Sequence, residues 1–209
     1  NGRTWTEYDN NPVVKHVGRD PKLVWYEKGD TKHWVMAVYA EAEKKQWIAF
    51  YTSPDLKTWT FASRIEGFYE CPDLFEMRVG PNGPGKKVNG PDRKWVLYGA
   101  DGKYLVGDFD GRAVTPDHKE KQQLWYGNFY AAQTFDNAGT HWDGSPRRVQ
   151  IGWAQGVTFP GMPFNQQMTV PVDLPLYLGD GRRPPHLAAL PVEGVEKLRD
   201  GEPVYRLHN

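Results

Sequence analysis

The 209-residue sequence is poor in the features that select a charged partner or a membrane. Its 26 Lys and Arg balance 26 Asp and Glu, so it has no one-signed field for a nucleic acid or an anionic membrane. One cysteine, Cys71, excludes an internal disulfide and a Cys-based zinc site, and leaves the compartment open. The six histidines, His16, His33, His118, His141, His186 and His208, show no metal-ligand spacing, and neither a metal nor a cofactor is expected. The longest unbroken apolar stretch, Trp34 to Ala40, has seven residues, against roughly 20 for a bilayer-spanning helix. No basic-then-apolar leader opens the chain, which fits a cytoplasmic protein, a processed one or a segment of a longer one.

Aromatic residues are abundant instead: 9 Trp, 11 Tyr and 9 Phe, 14% of the chain, beside 22 Gly and 17 Pro. Rings and β-branched side chains suit a pleated surface, while Gly and Pro interrupt helices and build turns. The composition predicts an all-β chain of many short strands. Ser53-Pro54-Asp55 and Asp108-Phe109-Asp110-Gly111 read as tight turns, and Pro81 to Pro91 reads as an irregular surface insertion.

Repetition is visible along the chain. Leu56-Lys57-Thr58-Trp59-Thr60 echoes Gly2-Arg3-Thr4-Trp5-Thr6, and Glu70-Cys71-Pro72-Asp73 echoes Arg19-Asp20-Pro21-Lys22. After each proline a basic residue leads into an apolar strand, His33 to Tyr39 and then Lys94 to Tyr98. A third unit starts at Phe129 to Phe135 and continues with Arg148 to Ala154. The final recognisable strand is expected over Met168 to Val172, and at most a short turn over Glu193 to Arg199. A period of about 50 residues with several short strands is that of a propeller blade. Such repetition places Arg19-Asp20, Glu70 and Tyr130 at equivalent points of successive inner strands, facing one funnel. Five blades at this period need roughly 250 residues or more, so the expected fold is an incomplete five-bladed β-propeller of about three blades plus fragments. Arg3 to Thr6 is expected to be the last strand of a preceding blade.

Two carboxylates from adjacent repeats, Asp20 and Glu70, suit acid–base work on a neutral substrate. Cleaving a glycosidic bond takes a proton for the leaving oxygen and negative charge beside an oxocarbenium-like centre. Cys71, by itself, reads as a small buried filler, since nothing near it except Arg78 would stabilise a thiolate.

In order along the chain come Arg19-Asp20-Pro21, Glu70-Cys71-Pro72-Asp73-Leu74-Phe75, Phe129-Tyr130-Ala131-Ala132-Gln133-Thr134-Phe135, Gln150-Ile151-Gly152-Trp153 and Gly161-Met162-Pro163-Phe164-Asn165-Gln166. This set resembles glycoside hydrolase family 32, the invertase, levanase, inulinase and fructan exohydrolase group. The resemblance runs from Arg3 to about Leu198. It implies that Glu70 is the acid/base, that Asp20 stabilises the transition state, and that Arg19, Cys71, Tyr130 and Trp153 contact substrate. Gly18 stands where many members have Phe. The family's nucleophile is an aspartate in an N-terminal Trp-Met-Asn-Asp-Pro-Asn-Gly-like motif. No such motif occurs in this sequence, and Asp9, in a turn after Thr-Trp-Thr, is not a substitute.

The resemblance therefore implies a fragment of a retaining β-fructosidase, acting on a fructan or sucrose outside the cell or in the periplasm, and inactive alone. Residues 1–192 would form the partial propeller, and residues 193–209 a linker toward a C-terminal β-sandwich absent from this chain. Two alternatives stand beside it. One is a non-catalytic carbohydrate-binding propeller or degenerate copy, and the other a related five-bladed family acting on arabinose or xylose. Self-association through an open propeller edge is also expected, and a monodisperse monomer in light scattering would count against it.

Overall fold

The computed structural model describes residues 2–80, 93–141, 146–179 and 184–198. The expected insertion at residues 81–91 lies outside the described residues, as does most of the expected linker. Strands dominate, and one helical turn, α1 (Glu193–Glu196), stands where a short turn was expected. The chain divides into two compact units, Asn1–Met77 with Arg93–Gln123, and Arg78–Asp92 with Leu124–Asn209.

The first unit opens with a four-stranded antiparallel meander of β1 (Gly18–Lys28), β2 (Thr31–Ala42), β3 (Lys45–Ser53) and β4 (Thr60–Glu66). The apolar run noted in the sequence is the middle of β2, where Val35 to Ala40 are buried without a break. A strand covered on both faces has no need of a polar alternation. Val35, Ala37 and Tyr39 join Tyr26, Ile48 and Phe50 in a core shared with Leu74, Leu97, Leu105 and Phe109. Met36, Val38 and Ala49 lie in a second cluster with Val14, Trp47, Tyr51 and Trp59.

The residues sharing that first core belong to the next strands: β5 (Asp73–Gly80), β6 (Arg93–Tyr98), β7 (Lys103–Phe109) and β8 (Val114–Pro116), with β9 (Gln122–Gln123) also on β7. Phe109 meets Tyr26, Phe50 and Trp95 with ring centroids 5.1–5.7 Å apart. Offset and edge contacts of this kind suit the ring quadrupole. The tight β7–β8 turn keeps Gly111 at φ 88°, and its carbonyl accepts from His33 Nε2 at 2.8 Å.

The second unit is built on β10 (Phe129–Phe135) and β11 (Val149–Ala154), antiparallel to each other. β12 (Gln167–Met168) pairs with the end of β11 and β13 (Val172–Asp173) with its start. Then come β14 (Leu176–Tyr177), β15 (His186–Leu187) and β16 (Leu190–Pro191), the last pairing with β13. β14 runs parallel to Val79 and Gly80 at the end of β5.

Two expectations fail. The single strand expected over Met168 to Val172 is two short strands. Between them Thr169 Oγ1 accepts from the Gly152 N–H at 3.0 Å, in place of a backbone carbonyl, and Pro171 has no N–H to donate. Arg3 to Thr6 form no strand, and Trp5 is 88% exposed. A strand needs a neighbour for its backbone groups, and the described residues provide none there.

Candidate active site

The start of β1 is not regular. Arg19 pairs with Tyr39 and Lys22 with Ala37, so three steps on β1 match two on β2. This is a β-bulge, and it sits on Asp20-Pro21. Asp20 has φ 62°, a left-handed conformation uncommon for a side-chain-bearing residue. β10 repeats the device. Tyr130 pairs with Trp153 and Gln133 with Ile151, with Ala131 at φ 49°. Just before β5, Glu70 and Cys71 have φ 44° and 40°. The backbone thus aligns Asp20 with Cys71 and Ala131, and Arg19 with Glu70 and Tyr130. The proline-to-proline match in the sequence, Arg19-Asp20-Pro21 with Glu70-Cys71-Pro72, gives the same pairs for the first two kinks. Bulges and left-handed side-chain residues re-aim side chains and collect at functional sites.

These kinks bring four of the candidate residues together in the first unit. Arg19 Nε donates to Glu70 Oε1 at 2.9 Å, and a second donor of the same guanidinium, Nη2, reaches the same oxygen. Arg19 Nε also lies 4.0 Å from Asp20 Oδ2, so one cation serves both carboxylates. The bond to Glu70 raises the Arg19 pKa above its usual value, its own partial desolvation opposing. Asp20 Oδ2 accepts from the Cys71 backbone N–H at 3.2 Å, with Cys71 Sγ 3.6 Å away. Burial first, and then the charge of Asp20, push the Cys71 thiol up to about 12. Cys71 therefore stays a neutral thiol, half-buried rather than the buried filler expected, and the cation beside it is Arg19.

Aromatic rings that the sequence reading did not single out complete the surroundings. The Arg19 guanidinium lies 4.8 Å from the Tyr39 ring centroid, a cation–π contact, and Tyr69 meets the same ring edge-on at 5.6 Å. Burial, then the bond to Glu41, push the Tyr39 hydroxyl up to about 12, so it stays protonated and donates to Glu41 Oε2 at 2.8 Å. The Ala100 N–H lies 3.0 and 3.1 Å from the Tyr69 and Glu70 carbonyls, holding the strained turn before β5. Tyr69 could have been found by its place beside Glu70, but Tyr39 could not. It looks like any core residue of β2 until the strand register sets it opposite Arg19.

Tyr130 and Trp153 face each other across the β10–β11 ladder in the second unit, with ring centroids 6.3 Å apart. Trp153 is 37% exposed. Nearby, Trp125 and Phe129 stack at 4.4 Å, and Trp125 Nε1 donates to Gln150 Oε1 at 2.8 Å. No cluster of three or more His, Cys, Asp or Glu suited to a metal ion occurs among the described residues.

A nearly all-β chain with two carboxylates gathered on one guanidinium has the residue types of a glycoside hydrolase. Known proteins give the family: residues 1–183 match the glycosyl hydrolases family 32 N-terminal domain, and the chain belongs to that family. It is 35% identical to a levanase of Bacillus subtilis over 95% of its own length and 31% of the levanase's. It is 36% identical to an extracellular exo-inulinase of Meyerozyma guilliermondii, over 66% of this chain and 28% of that protein. Among solved structures, the exo-inulinase of Aspergillus awamori matches with a TM-score of 0.72 and 25% identity, over 96% of this chain and 43% of that one. The chain thus spans about a third of the length of the levanase and exo-inulinase sequences it matches.

Proposed function

We propose that this chain is part of a retaining β-fructofuranosidase acting on a fructan or on sucrose. The observation that carries the reading is the cluster of Glu70, Asp20 and Cys71 around Arg19. Glu70 is the acid/base and Asp20 holds two fructosyl hydroxyls in the transition state. Tyr130 and Trp153, in the second unit, are sugar-contacting rings by the same family likeness. As the acid, Glu70 must carry a proton, whereas its bond to Arg19 stabilises the charged form of both partners. Arg19 therefore turns to a sugar hydroxyl when substrate enters, and Glu70 takes up its proton.

The proposed chemistry needs a second carboxylate about 5–5.5 Å from Glu70 to attack the anomeric carbon. No residue of the 209 sits in the family's nucleophile motif. The nucleophile comes from outside this sequence, and the three successive sheets are blades of a five-bladed propeller closed by other residues. Residues 1–192 belong to that propeller and 193–209 lead away from it. Support for a fructan substrate comes from the levanase and the exo-inulinase. The relative described as extracellular supports action outside the cell.

Purified chain incubated with levan, inulin and sucrose should release almost no fructose, while free fructose binds to it and Arg19→Ala abolishes that binding. Fructose release lost on Glu70→Gln would refute the external nucleophile, and failure of fructose to bind would refute the sugar site.

A further inference from the structure

Two residues beyond each of the first two kinks stand a lysine and an aspartate that no catalytic step uses. Lys22 follows Asp20 by two positions on β1, and Asp73 follows Cys71 by two at the start of β5. Asp73 is wholly buried, and Lys22 Nζ lies 3.1 Å from its Oδ1, with the lysine side chain 18% exposed. A carboxylate taken out of water is costly unless a cation accompanies it. The cost has been met at one place, where β1 passes the beginning of β5. The same two segments carry the Cys71 N–H to Asp20 contact and the Arg19 to Glu70 contact. All three contacts therefore join the same two segments across one gap.

We propose that Lys22 and Asp73 are a positioning pair, clamping β1 to the start of β5 so that Asp20, Glu70 and Arg19 meet. The proposal rests on the reading of Glu70 and Asp20 as the working carboxylates. Its own content is mechanical: without the pair, the guanidinium and the Glu70 carboxylate part. The opposite charges also explain why the two positions differ, although the surrounding segments repeat. Equivalent residues that meet across a sheet-to-sheet boundary must complement each other, and two lysines or two aspartates would repel in a site with little water to screen them.

The test uses the 209-residue chain, with the Glu70 carboxyl resonance followed through a carbon-13 titration and assigned by Glu70→Gln. Substituting Lys22→Met and Asp73→Leu together removes one charge of each sign, so their direct fields at Glu70 largely cancel. Arg19, Asp20, Tyr69 and Cys71, which also face Glu70, are left in place. The Glu70 midpoint should rise by about half a pH unit or more as Arg19 loses its hold. Lys22→Arg, which keeps charge and reach, should leave the midpoint where it is. If the apolar pair does not fold, Lys22→Gln with Asp73→Asn, a neutral hydrogen-bonded pair of similar shape, is read with the same expectation. An unmoved midpoint in a folded variant overturns the proposal, because a pair that only adds stability would shift the melting temperature alone. Fructose binding to the unmodified chain is measured in parallel. Its absence would sink the sugar-site reading without altering what the titration says about the clamp.

Discussion

Gly18→Ala should disturb this protein more than most single methyl groups do. A Cβ at position 18 would sit 1.8 Å from the Tyr39 carbonyl oxygen and 2.8 Å from His16 Nε2. The first neighbour is backbone in the middle of a sheet and cannot swing aside. The second is held on both sides: His16 Nε2 lies 3.0 Å from the same carbonyl, and Nδ1 lies 3.0 Å from the Tyr51 hydroxyl. A carbonyl only accepts, so Nε2 carries the proton and Nδ1 takes the tyrosine's. Inserting the methyl therefore breaks a hydrogen bond worth about 1 kcal/mol and overpacks the bulged end of β1 by about 1–3 kcal/mol. A loss of about 2–4 kcal/mol lowers the melting temperature of a domain this size by roughly 4–16 °C. Thermal unfolding followed by circular dichroism measures it. Because Arg19 is the next residue, fructose affinity should fall as well, even well below the melting transition. A melting temperature within 2 °C of the parent, a shift worth about 1 kcal/mol or less, would show that β1 moves freely at this point and would refute the steric argument.

Cys71 should resist alkylation in the folded chain at pH 8, reacting on the order of a hundredfold or more slowly than after denaturation, since so little of the thiol is ionised. Equal rates in the two states would count against its burial beside Asp20. Asp110 accepts the Arg112 and Ala113 backbone N–H groups at 2.8 and 2.7 Å, and the Ala113 bond, against some desolvation, holds its carboxyl below the usual value of 3.8. A depressed carboxyl contributes fully above its unfolded value and loses that contribution as pH falls through the folded one. Amide exchange at Arg112 and Ala113, compared with Asp110→Asn, should therefore show extra protection above about pH 4 that fades in stronger acid. Protection that is the same at pH 5 and pH 2 would contradict it.

Much of the site was legible before any coordinates. Arg19-Asp20-Pro21 and Glu70-Cys71-Pro72 stand out because proline has no N–H to give a ladder and within sheets marks edges and bulges, and a kink that must recur leaves a recurring letter. The third kink has Ala131-Ala132 instead, so only its neighbours Tyr130 and Gln133 pointed to it. Gly18 was less legible. As a departure from the aromatic residue common at that place it looked inconsequential, yet the Tyr39 carbonyl and the His16 ring occupy the space its side chain would need. The N-terminal Thr-Trp-Thr misled in the other direction, since likeness to Thr58-Trp59-Thr60 cannot supply a pairing partner.

By itself the sequence determined the strand-rich character, the spacing of the sheets and the residue types at the site, because alternation, turn residues and proline act over a few neighbouring positions. Tertiary structure alone decided which charges meet. Arg19 reaches Glu70 and Lys22 reaches Asp73, each pair 51 residues apart in the chain, through left-handed turns whose strain only the surrounding sheets can hold. The sign and distance of a partner across two strands follow from register and bulge position, which no local run of residues encodes.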